Sequence, residues 1–279
     1  MAGTSVDVAL FPIDTVKTRL QSPQGFLKAG GFRGIYNGLG AAAAGSAPGA
    51  ALFFSTYETM KPLLLEWQQS SSSSGDGDAT SNPAIAHMMA ASLGEAAACL
   101  VRVPTEVIKA KMQTDPSHAT SLKRTFQLVL SEKHGNALSS ITGGLYRGYG
   151  ITLFREIPFA MIQFPIYERL KSELSKQRRD NDKPIHPLES AACGSFSGAI
   201  AAACTTPLDV IKTRLMLGAD KDGVLYKGAS DVVTRTFEEG GWKVFFSGIQ
   251  PRVMWISIGG FVFFGAYEGS KSFLTPVLG

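Results

Sequence analysis

One pattern occurs three times in this chain, and an internal repeat constrains a fold more tightly than any single motif. Pro12, Asp14 and Lys17 are matched by Pro104, Glu106 and Lys109, 92 residues on, and by Pro207, Asp209 and Lys212, a further 103 residues on. Each triplet is followed, 26, 44 and 41 residues after its proline, by the glycine of an aromatic-x-Gly: Tyr36 and Gly38, Tyr146 and Gly148, Phe246 and Gly248. Another 19 residues lead from each glycine to Tyr-Glu-x-x-Lys, as Tyr57, Glu58 and Lys61, Tyr167, Glu168 and Lys171, and Tyr267, Glu268 and Lys271. Chance does not produce one 19-residue interval three times.

The stretches ending at the later prolines (85–103 and 188–206) and those after the glycines (39–56, 149–166 and 249–266) are mostly Ala, Gly, Leu, Ile, Val and Phe. Their length suits a bilayer, so two membrane helices per repeat and six in all are expected. Only eleven residues precede Pro12, so the first span is expected to lack its first two or three turns. With 44% hydrophobic residues and no long apolar run, the spans should be polar on one face. Small residues four apart, such as Gly194 and Gly198, let tilted helices approach closely. A kinking proline stands nine residues before the closing tyrosine at Pro48 and Pro158, with Ile258 in the third place.

Composition divides the chain into repeats at 1–69, 84–175 and 187–279, joined by a Ser/Gly/Asp linker at 70–83 and a charged one at 176–186. Residues 17–38 carry four bases and no acid, whereas 59–83 carry one lysine against three acids. The positive-inside bias therefore puts the loops within repeats on the inner side of the membrane and the linkers on the other. A net charge of +4 without long basic runs gives no reason to expect a nucleic-acid partner. Cys99, Cys193 and Cys204 lie in small apolar stretches without CxxC spacing, so neither a metal nor redox chemistry is expected, and no cofactor. No nucleophile–base pair or phosphate-binding loop suggests an enzyme. The first residues match neither a signal peptide nor a transit sequence, so any targeting signal is expected to be internal.

The pattern Pro-x-acid-x-x-Lys, aromatic-x-Gly, Tyr-Glu-x-x-Lys, given three times over essentially the whole chain, resembles the mitochondrial carrier family. The resemblance implies an all-α membrane protein: a monomeric, pseudo-threefold barrel of six transmembrane helices whose central cavity opens alternately to each side between two charge rings. Asp14, Glu106 and Asp209 each precede Lys17, Lys109 and Lys212 by three residues, so each repeat can offer an acid to one neighbour and a base to the other in a matrix gate. Gln21 and Gln113 match the glutamine braces of that gate; Met216 stands third, one brace fewer. Glu58, Glu168 and Glu268 with Lys61, Lys171 and Lys271 match the cytoplasmic ring, with Tyr57, Tyr167 and Tyr267 as its braces. Any one such pair also suits charges reaching for the membrane interface, but three in register do not. Gly38, Gly148 and Gly248 match the family's cardiolipin-binding helix starts; a glycine that only makes the turn is the alternative.

Outside the rings, the ionisable residues left in the spans are Asp7, Glu95, Arg102, Arg155 and Glu156, with Arg252 near the start of the sixth. The family's substrate-contact position, twelve residues before each closing tyrosine, falls at Gly45-Ser46, Arg155-Glu156 and Trp255-Ile256. An arginine followed by an acid implies an amino-acid-type substrate, the guanidinium gripping an α-carboxylate and the acid an α-ammonium. Trp255 offers a face on which a purine can stack. Three acids against two bases leave one negative charge in excess, or balance if Arg252 faces inward; the first count suits a zwitterion with one extra positive centre. The segments around Asp7, Thr18 to Gly25, Glu95 with Arg102, and Arg155 to Pro158 are similar to one subgroup of the family. They imply S-adenosylmethionine as substrate, with Asp7 and Glu95 facing its sulfonium and S-adenosylhomocysteine as counter-substrate. A carrier for a basic amino acid or a nucleotide stays open, as does a non-transporting adaptor, although all twelve ring charges are present. An interhelical polar network also accounts for Asp7, Glu95 and Arg102. The expected location is the mitochondrial inner membrane, with the plastid envelope as the alternative.

Overall fold

The computed structural model describes residues 2–72, 83–115, 121–131, 144–179 and 187–259. Its helices are α1 (Ala2–Gln21), α2 (Leu39–Ser72), α3 (Pro83–Thr114), α4 (Leu122–Ser131), α5 (Tyr149–Arg179), α6 (Pro187–Leu217), α7 (Ala229–Gly240) and the short α8 (Trp242–Phe245). A ninth, α9, is helical over residues 249–259. Among the described residues the only β pairing is a bridge between Ala219 and Leu225. The helices α1, α2, α3, α5, α6 and α9 occupy the six positions expected of the spans.

α2 packs along α3 and α5 along α6, while α1 touches α2, α3 and α6. Small residues make these approaches possible. A Cβ at Gly45 on α2 would fall 2.2 Å from Thr105 Oγ1 on α3, and one at Gly198 on α6 would fall 2.8 Å from Ile256 on α9. The small wall expected at Gly45 is therefore a helix contact as well as a cavity surface.

The recurrent prolines lie inside helices α1, α3 and α6, where each removes a backbone donor. The missing N–H of Pro104 leaves the carbonyl of Leu100 without its helical partner, and the Tyr146 hydroxyl donates to that oxygen at 3.0 Å. Tyr149 donates to the carbonyl of Ala96, one turn earlier, at 2.9 Å. Both tyrosines pack on the buried cluster of Cys99, Val103, Val107, Met112, Leu145 and Met216. The aromatic of the second aromatic-x-Gly motif thus seals the proline site of its own repeat.

Gly38, Gly148 and Gly248 take φ of 90°, 91° and 75°, a region costly for other residues, and each precedes a helix. Space makes the same demand: a Cβ would fall 3.2 Å from the Lys109 carbonyl, 3.2 Å from Met216 and 3.3 Å from the Lys17 carbonyl, respectively. Each glycine thereby seats its repeat on the end of the next repeat's proline-bearing helix. This geometry accounts for all three glycines as turns and close contacts.

Two boundaries differ from expectation. α2 runs on to Ser72 and α5 to Arg179, inside the stretches expected to be linkers. Lysine, glutamine and arginine favour helix, and Glu173 pairs with Lys176 at 2.9 Å across one turn, so polar residues prolong α5 beyond its apolar part. Residues 73–82 and 180–186 lie outside the described set. No described helix is long and apolar enough to cross a membrane. The helices are long, α3 and α6 having 32 and 31 residues, but their cavity faces carry the charges described next.

Candidate functional site

A cavity of about 540 Å³ lies among the helices, lined by residues from α1, α2, α3, α5, α6 and α9. The end at which α1, α3 and α6 terminate is closed by three ion pairs between successive repeats. Lys17 meets Asp209 at 2.6 Å, Lys109 meets Asp14 at 2.6 Å and Lys212 meets Glu106 at 2.7 Å. The three-residue spacing of acid and base turns one toward each neighbour, so three helices close a ring without an unpaired charge.

The three corners are not equivalent. Gln21 donates to Asp209 Oδ2 at 3.0 Å and accepts from Thr213 at 2.7 Å. Gln113 donates to Asp14 at 3.4 Å and to Thr15 at 3.0 Å. Met216 occupies the third place, in the apolar cluster, and Glu106 Oε2 receives Lys212 as an ion pair without a well-aligned hydrogen bond. Two further cations converge on Asp209: the Arg252 guanidinium, also bonded to Thr205 Oγ1 at 2.9 Å, and Arg155, whose Nη1 stands 3.8 Å from Oδ1.

Of the expected substrate contacts, Gly45, Ser46, Arg102, Arg155, Arg252, Trp255 and Ile256 line the cavity. Glu95 and Glu156 do not; they are ion-paired to Arg102 and Arg155, and Glu95 also accepts from the Cys99 thiol. Asp7 lies on α1, where only its backbone is described. Arg252 faces inward, 3% exposed, which decides the charge count in favour of balance: Asp7, Glu95 and Glu156 against Arg102, Arg155 and Arg252. Of the two counts the sequence left open, the one that includes Arg252 applies. The lining itself holds six bases (Lys17, Lys109, Lys212, Arg102, Arg155, Arg252) against three acids (Asp14, Glu106, Asp209), but Arg102 and Arg155 are paired to Glu95 and Glu156 beside it, which leaves one base in excess.

At the other end of the helices the described charges behave differently. Lys61 lies over the ring of Tyr57 at 5.7 Å and Lys171 over that of Tyr167 at 5.6 Å, each within its own helix. Among the described residues, Glu58, Lys61, Glu168 and Lys171 make no ion pair with one another. Tyr267, Glu268 and Lys271 lie outside the described residues.

Several site residues are absent from the sequence reading. Thr205, one turn before Asp209, anchors Arg252, and Thr15 and Thr213 anchor the two glutamines. Arg19 and Arg214 are buried and clamp carbonyls of the neighbouring repeat, at Gln113 (2.7 Å) and Gln21 (3.3 Å). Their signal was a basic residue two positions after the paired lysine in every repeat: Arg19, Lys111 and Arg214.

A family model described as mitochondrial carrier protein matches residues 24–67, 80–178 and 183–277. The chain is 46% identical over 278 residues to the mitochondrial S-adenosylmethionine carrier protein of Mus musculus, covering 99% of this chain and 93% of that protein. It is 48% identical over 276 residues to the putative mitochondrial carrier protein PET8 of Eremothecium gossypii, covering 97% and 94%. Against the S-adenosylmethionine mitochondrial carrier protein homolog of Drosophila melanogaster it is 45% identical over 268 residues, covering 96% and 88%.

Proposed function

The chain belongs to the mitochondrial carrier family, and from that premise we propose that it exchanges cytosolic S-adenosylmethionine for matrix S-adenosylhomocysteine by alternating access across the inner mitochondrial membrane. The observation that carries this reading is the full-length identity of about 46% to relatives named as S-adenosylmethionine carriers. The cavity chemistry supports it. Arg155 and Arg252 line the cavity and offer guanidiniums for an α-carboxylate, and Trp255 offers a face for adenine; Glu156 and Glu95, outside that lining, reach the ammonium and sulfonium only by giving up Arg155 and Arg102. The named relatives are mitochondrial, and no finding supports the plastid alternative.

In this reading the three ion pairs form the matrix gate, and the described geometry corresponds to the state open toward the cytosol. Opening toward the matrix requires that all three pairs break while Glu58, Lys61, Glu168, Lys171, Glu268 and Lys271 pair on the cytosolic side, so the substrate must supply what the broken pairs lose. Cardiolipin phosphates at the helix starts after Gly38, Gly148 and Gly248, and a monomeric carrier, belong to the same reading.

The test is uptake of labelled S-adenosylmethionine into liposomes holding the purified protein, either empty or preloaded with S-adenosylhomocysteine. Uptake that requires the preload supports the exchanger. No uptake of S-adenosylmethionine under either condition, while a labelled basic amino acid or nucleotide is exchanged, overturns the substrate. Glu95→Gln is expected to lower uptake at least tenfold; an inserted variant with unchanged transport leaves Glu95 a packing residue.

A further inference from the structure

The corners of the ring differ on their basic side as well as on their acidic side. The residue before the repeated proline is Phe11, Val103 or Thr206, so one repeat alone places an aromatic ring there. Phe11 is buried on α1 at the cavity floor, three residues before Asp14, so ring and carboxylate share one face of the helix. Both reach the Lys109 ammonium, which lies 2.6 Å from Asp14 Oδ2 and, over the Phe11 ring, 5.1 Å from its centroid. At that distance the electron-rich face of an aromatic ring attracts a cation, more strongly where water is scarce.

The ring's orientation is set from outside the gate. Tyr36, in the loop ahead of α2, lies parallel to Phe11 with centroids 6.2 Å apart, and the Thr15 hydroxyl donates to the carbonyl of Ile35 at 2.6 Å, which fixes that loop against α1. On the acidic side the same corner is held loosely: Gln113 donates to Asp14 at 3.4 Å, whereas Gln21 donates to Asp209 at 3.0 Å. In the other repeats the residue before the proline is spent elsewhere. Val103 joins the apolar cluster, and the Thr206 hydroxyl donates to its own helix at Ala202, 2.7 Å away.

We propose that Phe11 is a positioning residue of the matrix gate: its π face holds the Lys109 ammonium on Asp14, an aromatic brace at a corner whose glutamine hold is long. The inference rests on the reading of the three ion pairs as that gate. The brace adds no charge, so the corner stays one acid to one base. The contact is made in the state open toward the cytosol and is lost when Lys109 leaves Asp14, so it biases the carrier toward that state.

The experiment replaces Phe11 in the full-length carrier by mono-, di- and trifluorinated phenylalanine, which keep the ring's shape and withdraw electrons from its face stepwise. The thermal unfolding midpoint is expected to fall in that order, by roughly 2–4 °C across the series. In liposomes, KM for S-adenosylmethionine presented from the cytosolic side is expected to rise about two- to fivefold, since fewer carriers rest in the state that binds it. The same series at Phe245, packed among Ile211, Leu215 and Tyr226, is the control and is expected to show no ordered fall. A midpoint that rises with fluorination overturns the proposal and makes Tyr36 the partner that matters, because an electron-poor ring stacks better on an electron-rich one. So does a midpoint that does not follow the series, an equal fall at Phe245, or an ordered fall with KM unchanged. If the fluorinated chains do not insert, Phe11→Tyr, which keeps the face, is expected within about 1 °C of wild type and Phe11→Leu well below it; equal midpoints overturn the brace. A wild-type carrier that does not exchange S-adenosylmethionine, with the midpoint series intact, overturns the substrate reading and leaves the brace standing.

Discussion

Asp209 and Glu106 occupy the same place in two repeats, yet the structure surrounds them very differently. The Asp209 side chain is 4% exposed and is held by Lys17, Arg252, Arg155 and Gln21. The Glu106 side chain is 30% exposed, and among the described residues its ion pair is with Lys212. Threefold repetition therefore supplies three locks of the same design and unequal strength. The inequality comes from residues outside the repeated motif, namely Arg252 on α9, Arg155 on α5 and the glutamine that Met216 replaces.

The sharpest way to break the comparison is Asp209→Asn against Glu106→Gln. Asp209→Asn leaves three cations around a neutral amide and is expected to cost roughly 3–5 kcal/mol, the usual penalty for removing one partner of a buried ion cluster. Glu106→Gln frees one lysine beside a more exposed partner and is expected to cost about 1–2 kcal/mol. Thermal unfolding of the two purified variants measures the difference; equal midpoints would show that the extra arginines contribute nothing to the lock.

The comparison can also be narrowed by restoring the missing brace. Met216→Gln offers Glu106 Oε2 a hydrogen bond of the kind Gln21 gives Asp209, expected to add about 1 kcal/mol. A raised unfolding midpoint with exchange slowed several-fold is the expected result. A lowered midpoint would mean that the apolar contacts of Met216 with the cluster around Val103 outweigh the brace.

The smallest effect lies outside the membrane, in the loop between α6 and α7. Burial pushes the Asp220 carboxyl up, but the backbone N–H groups of Val224 (3.0 Å) and Asp222 (2.9 Å) and the Arg235 guanidinium (3.0 Å) outweigh it and hold the pKa below the ordinary value. A depressed carboxylate stabilises the fold at pH values above its unfolded pKa, and that contribution fades as pH falls through the folded one. Asp220→Asn is therefore expected to lower the unfolding midpoint by at most a few degrees at neutral pH, with the gap closing below about pH 4. A gap that persists in acid would point to the loop's shape rather than its charge.

The fold was legible in the repeat because each motif residue answers a local need. Proline removes a donor that Tyr146 then replaces at Leu100; glycine takes a positive φ that no other residue takes cheaply; acid and lysine one turn apart face two neighbours. The inward direction of Arg252 was not legible, since its rotation on α9 depends on Thr205 and Asp209 in another helix, 47 and 43 residues earlier. Nor was the pairing of Glu95 with Arg102, which withdraws both from a simple charge count.

The sequence alone determined a six-helix carrier with three acid–base triplets, because repetition at fixed spacing reports local geometry three times over. Only the tertiary structure decided how those triplets share their charges. An ion pair's partners are set by distances of a few ångströms between helices far apart along the chain, and spacing within one helix carries no record of them.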